Sequence, residues 1–86
     1  MSQMDKLIYA IISGKHDTST KFTDVQNVLK FLEFHERVRG DHFIYTQKGI
    51  EEILNLQPDG SKAKPYQVKQ VRNIILKYNL GGKDDE

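Results

Sequence analysis

Met4, Leu7, Ile8, Ile11 and Ile12 recur at the spacing of a single helix face, and Gly14 stands where such a helix would stop. Ser2 and Asp5 are spaced as a capping box at its start. A polar loop, Lys15 to Lys21, separates this segment from Val25, Val28, Leu29 and Leu32, which repeat the pattern. Thr23 with Gln26 three residues later marks a second start, so residues 24 to 33 are predicted as an amphipathic helix. The period then changes. Phe34 to Arg39 and His42 to Gln47 read as two strands joined by Gly40-Asp41, a tight-hairpin pair.

Residues 50 to 57 carry both periods. Ile50, Ile53 and Leu54 have helical spacing, whereas Leu54 and Leu56 alternate as in a strand, and propensity does not choose between them. Pro58-Asp59-Gly60 predicts a turn. Pro65 suits the first position of a last helix, whose apolar stripe is Val68, Val71, Ile75 and Tyr78 with Ile74 beside it. Lys69, Arg72 and Lys77 lie off that stripe and are expected towards solvent. Gly81-Gly82 is expected to end the helix, and Lys83 to Glu86 to fray.

A two-residue loop at Gly40-Asp41 fixes the hairpin register. Arg39 then lies opposite His42, and Val38 opposite Phe43. Arg37, Arg39 and His42 share one face, while Val38, Phe43 and Tyr45 share the other. An imidazole between two guanidinium groups suits a phosphate-bearing substrate: a free imidazole titrates near neutral pH, and arginine holds phosphate. His42 can therefore act as a general acid or base, or be a surface histidine beside a turn. His16 and His35 are read as surface residues.

The chain has 86 residues, enough for one domain with a small core. It contains no cysteine, which removes thiolate zinc sites and fits a reducing cytoplasm. The apolar run Leu7 to Ile12 is too short to cross a bilayer and has no small-residue cleavage site after it, so neither a membrane anchor nor a secretion signal is expected. The three histidines have no helical metal-ligand spacing to one another or to a carboxylate, so no metal and no cofactor is expected. A glycine elbow around a serine and a phosphate-binding glycine loop are both missing. Net charge is only +1, but Gly60 to Lys83 holds no acid while containing Lys62, Lys64, Lys69, Arg72 and Lys77. That one-sided segment fits a nucleic-acid footprint or a solvated helix face.

Arg37-x-x-Gly40-x-His42-x-x-Tyr45 after a short helix resembles the signature of HicA-type mRNA interferase toxins. The run from Gly49 to Gly60 (Gly-Ile-Glu-Glu-Ile-Leu-Asn-Leu-Gln-Pro-Asp-Gly) and its continuation, Ala63 to Arg72, resemble a subgroup with an additional N-terminal helix. The resemblance spans roughly Phe22 to Tyr78. It implies an α+β, double-stranded-RNA-binding-domain-like fold, with a three-stranded antiparallel sheet packed on helices in the order α-α-β-β-β-α. Residues 1–20 would be the added helix and loop, 22–80 the core and 81–86 a flexible tail, and residues 50 to 57 would be a strand. It further implies a cytoplasmic, metal-independent endoribonuclease with His42 as general acid or base, acting on mRNA and neutralised by a HicB-type antitoxin. Arg37, Arg39, Gly40, Lys62, Lys64, Lys69 and Arg72 would face RNA. Asp41 stands where the family usually has serine, and Phe43 where a second histidine is frequent. A carboxylate there can repel the RNA backbone, so a weakened enzyme, or an inactive module that binds RNA or the antitoxin, is the alternative.

Overall fold

The computed structural model describes residues 2–81. Helix α1 (Gln3–Ser13) opens on the expected capping box: the Ser2 hydroxyl accepts from the Asp5 N–H at 3.1 Å, and the Asp5 carboxylate accepts from the Ser2 N–H. Gly14, at φ 74°, turns the chain out of it.

Helix α2 (Phe22–Phe31) starts earlier than residue 24, with Lys21 rather than Thr23 as its cap and no side-chain cap bond. Tertiary contacts set this start. The Phe22 ring is buried, and its N–H donates to the Ser61 carbonyl at 3.0 Å. At the other end Phe34 N–H donates to Leu29 O and Glu33 N–H to Lys30 O, a Schellman closure with Glu33 at φ 71°. Residues 32 and 33 therefore leave the helix, and the first strand begins at His35 instead of Phe34.

Strands β1 (His35–Arg39), β2 (His42–Gln47) and β3 (Ile50–Leu56) form an antiparallel sheet in that order. Arg39 pairs with His42 and Val38 with Phe43, as the hairpin reading requires. Phe43 pairs with Leu56 and Tyr45 with Leu54 across the second junction. That register resolves residues 50 to 56 as a strand. Leu54 and Leu56 turn inward and are buried, while Ile53 and Asn55 turn outward. Val38 has the expected facing but remains 54% exposed, because β1 is an edge strand and the helix packing on the sheet falls chiefly on β3.

Helix α3 (Pro65–Lys77) takes Pro65 at its first position. It stops before the glycines. Asn79 adopts φ 53°, and Leu80 N–H donates to Ile75 O at 2.9 Å, a second Schellman closure. Gly81 instead sits against the Ile8 side chain. Gly82 and the expected fraying of Lys83 to Glu86 lie outside the described residues.

The core is built from one stripe of each helix and the inner sheet face: Ile8 and Ile11, then Val25, Val28 and Leu29, then Tyr45, Leu54 and Leu56, then Val68, Val71 and Ile75. Tyr45 is fully buried and donates its hydroxyl to Glu36 at 2.6 Å. Burial, and then Glu36, push that phenol's pKa up, so it stays a donor. One side-chain amide is buried as well. Gln67 lies against the Gln57 backbone, and with its amide turned to match those neighbours its oxygen accepts from Gln57 N–H at 2.9 Å and its nitrogen donates to Gln57 O at 3.1 Å. This pairing ties α3 to the end of β3 in the manner of one more ladder step.

At the opposite end of β3, Glu52 receives Lys77 Nζ at 2.8 Å and the Tyr78 hydroxyl at 2.6 Å. These donors hold its carboxyl at about 2, below the ordinary 4.5.

Replacing Glu33 by glycine is expected to stabilise the fold by about 0.5–1 kcal/mol. Relief of a left-handed L-residue exceeds the added entropy of the unfolded chain. A higher urea midpoint at unchanged slope checks it. The second expectation concerns acid. Because the folded-state value of Glu52 is depressed, its contribution is complete above pH 4.5 and is lost as pH falls from 4.5 towards 2. Melting curves of the Glu52→Gln variant should fall less steeply across that window than those of the parent chain.

Candidate functional site

The strand alternation that fills the core also builds an outer surface. His35, Arg37 and Arg39 of β1, His42, Ile44 and Thr46 of β2, and Glu51, Ile53 and Asn55 of β3 share it. Arg37, Arg39 and His42 are exposed there, as read from the hairpin. Gly40, at φ 61°, makes the turn, and a Cβ at this position would meet nothing within 4 Å, so the positive φ and not crowding favours glycine here.

The His42 ring is about half exposed and has a polar neighbour on each side. Its Nδ1 lies 3.0 Å from Asn55 Oδ1, across the β2–β3 junction. An amide oxygen only accepts, so this bond forms when Nδ1 carries the proton. Its Nε2 lies 3.7 Å from Asp41 Oδ1, too long for a hydrogen bond. The other oxygen of Asp41 accepts from the Gln57 amide at 2.6 Å. That amide holds the Asp41 carboxyl below the usual carboxylate range, with His42 and Lys64 adding to the effect. In the Nδ1–H form the ring presents the Nε2 lone pair at an open surface, where it can take or return a proton.

The basic residues divide. Lys64 caps α3 and lies within electrostatic reach of Asp41. Lys62 is exposed in the turn after β3, bridged through its backbone to Asp59 and Lys21. Lys69 is exposed on α3. Arg72 departs from the expectation of a solvent-facing phosphate ligand. Its guanidinium donates to Asp17 at 2.9 Å and to the Ile11 carbonyl at 3.2 Å, and only 16% of its side chain is exposed. The Ile11 carbonyl at the end of α1, which also accepts from Gly14 N–H, and the Asp17 carboxylate of the loop after it both receive this cation. Lys77 reaches solvent but is paired with Glu52.

Sequence reasoning missed Asn55 and Gln57. Their facing follows from strand alternation once β3 is paired with β2, but the pattern of residues 50 to 57 left strand and helix open. Two surface clefts, one lined by Leu7, Ile11 and His16 and the other by Ile53, Asn73 and Lys77, do not include His42. Among the described residues no group of three His, Asp or Glu side chains converges on a common point, and no helix is long and apolar enough to cross a membrane.

The chain matches no protein-family model, no curated protein and no solved structure.

Arg72→Gln is expected to lose about 1–3 kcal/mol of stability, because it leaves a part-buried carboxylate without its charged donor. Lys69→Gln should stay within about 0.5 kcal/mol of the parent. Urea denaturation of both variants separates a structural arginine from a surface lysine.

Proposed function

We propose that the protein is a metal-independent endoribonuclease of the HicA toxin type, with His42 as its general acid–base residue. The observation that carries this reading is the half-exposed His42 ring, its Nδ1 against Asn55 and its Nε2 unbonded on an open face beside Arg39. In the cleavage step Nε2 accepts the proton of a ribose 2′-hydroxyl. The 2′ oxygen bonds to the adjacent phosphorus, the bond from phosphorus to the 5′ oxygen breaks, and that oxygen takes a proton from water. Arg37 and Arg39 neutralise the charge that grows on the phosphoryl oxygens. Lys62, Lys64 and Lys69 extend the positive surface from the hairpin tip along α3, where they act on the backbone without reading sequence.

The order of elements from α2 to α3, one α followed by three antiparallel strands and a second α, supports a double-stranded-RNA-binding-domain-like arrangement. On this reading α1 is an addition to the core, mRNA is the substrate, and a HicB-type antitoxin is the neutralising partner. Asp41 favours a second reading, a weakened or inactive module that binds RNA or the antitoxin. Its carboxylate stands 3.7 Å from Nε2, where a phosphate would come.

A short, unstructured, end-labelled RNA incubated with the full chain tests the proposal. His42→Ala should slow cleavage by about 10²- to 10⁴-fold while leaving the melting temperature nearly unchanged, since the ring is not part of the core. Chelation of divalent ions should leave the rate of the parent chain unaltered. Cleavage by the alanine variant at the parent rate, or a loss in EDTA that magnesium restores, would overturn the mechanism.

A further inference from the structure

The end of β3 and the residue after it contribute two side chains to the site that the His42 chemistry does not by itself explain. Asn55 and the residue two positions on, Gln57, reach His42 and Asp41 respectively, each across the sheet from the strand beside the hairpin. The Gln57 backbone is itself clamped by the buried amide of Gln67, whose two hydrogen bonds leave Gln57 little freedom to shift. Two polar contacts thus issue from one anchored segment and end on the two titratable groups of the hairpin tip.

We propose that Asn55 and Gln57 are positioning residues: Asn55 fixes His42 in the Nδ1–H tautomer, and Gln57 restrains the Asp41 carboxylate from closing on Nε2. The proposal rests on the acid–base reading of His42 and assigns how that residue is set for it.

Both halves follow from geometry. A neutral imidazole exists in two tautomers, and which nitrogen is free is decided by the bond the other makes. Asn55 Oδ1 offers only lone pairs to Nδ1, so the proton belongs there and the lone pair belongs on Nε2. Without Asn55 the ring reverts to the Nε2–H form that a free imidazole prefers, and the exposed nitrogen can no longer accept a proton. Asp41 poses the opposite hazard. It follows a glycine in a two-residue turn, and its Oδ1 is already 3.7 Å from Nε2. A movement of about 1 Å would let the carboxylate hold a proton on Nε2 in a charge-assisted hydrogen bond, which occupies the nitrogen and places a negative charge at the phosphate position. The 2.6 Å bond from Gln57 pulls on the other carboxylate oxygen and keeps this gap open. Lys64 adds attraction for the carboxylate.

The test has one arm that needs no turnover. Two-bond nitrogen–proton correlation spectra of the full chain, recorded above the titration of histidine, report which ring nitrogen carries the proton. The parent chain should show Nδ1–H at His42, and Asn55→Leu should show Nε2–H. A parent ring already in the Nε2–H form, or one that Asn55→Leu leaves unchanged, would overturn the role of Asn55. A protein without ribonuclease activity would refute the preceding functional reading, yet these spectra would still decide the tautomer.

The second arm uses cleavage of the short RNA. Asn55→Leu should lower kcat by about 10²-fold, the scale of acid–base help, with little change in KM. Asn55→Asp, which keeps the acceptor, should recover most of that loss, and its rate should rise at higher pH because a carboxylate favours the charged ring. Gln57→Ala should raise KM and lower kcat, and Asp41→Ser should abolish that effect in the double variant, since there is then no carboxylate to restrain. Equal Gln57→Ala losses in the Asp41 and Asp41→Ser backgrounds would show that Gln57 does not act through Asp41. Melting curves of the four single variants within a few degrees of the parent exclude unfolding as the cause.

Discussion

The pairing of β3 with β2 is the constraint on which both the core and the candidate site rest. Phe43 opposite Leu56 and Tyr45 opposite Leu54 send two leucines into the interior, and the same alternation sends Asn55 out to His42. A slip of one residue would exchange the two sets, exposing the leucines and withdrawing the amide. Three features hold the register. An irregularity between Tyr45 and Gln47 precedes the turn, Gln47 itself donates to the Leu32 carbonyl at 2.7 Å, and Gln67 clamps the strand end through the Gln57 backbone. The buried glutamine thus bears on both the core and the hairpin tip. Its amide satisfies two backbone groups that would otherwise be lost where the ladder stops, and it does so at the residue that holds Asp41.

Charge in this small protein is divided by burial rather than by sequence position. The acid-free stretch after Gly60 looks uniform, but its members have different fates. Arg72 is spent on the seam between α1 and α3, where it joins the Asp17 loop to the Ile11 carbonyl of the first helix. Lys77 is spent on Glu52. Lys62 and Lys69 stay exposed, as do Arg37 and Arg39 of β1, and Lys64 lies within electrostatic reach of Asp41 at the hairpin tip. The carboxylate at that tip, Asp41, is the one group there that opposes an anionic ligand. Its amide partner and the neighbouring lysine moderate it without removing its charge.

The first helix is integrated into the domain and is more than an appendage. Ile8 and Ile11 are buried in the common core, Gly14 lies under the Arg72 guanidinium, and Gly81 packs on Ile8 from the far end of the chain. A Cβ at Gly14 would stand 3.3 Å from the Arg72 side chain, in addition to the strain of a positive φ. Removal of α1 would expose an apolar face of α3 and free the arginine, so the segment that the family resemblance treats as additional is here part of the stability of the core.

Where local chemistry decides, the sequence was sufficient. The Ser2–Asp5 cap, the Gly14 stop, the Gly40-Asp41 hairpin with Arg39 facing His42, and Pro65 at the start of α3 all follow from side chains acting on backbone within a few residues. The start of α2 was not legible, because a buried Phe22 and its bond to Ser61 outweigh the Thr23 capping signal. The stop of α3 was not legible, because Asn79 takes the left-handed position that a glycine ordinarily supplies. The strand at residues 50 to 56 was left open by its own pattern, since Ile53 completes a helical spacing yet ends up on the outer face. Most of the site's surroundings belong to the same class. Asn55 against His42, Gln57 against Asp41 and Arg72 against Asp17 join residues 13, 16 and 55 positions apart. Contacts of that separation depend on register and on how the helices dock, and neither is encoded in the period or propensity of any single segment.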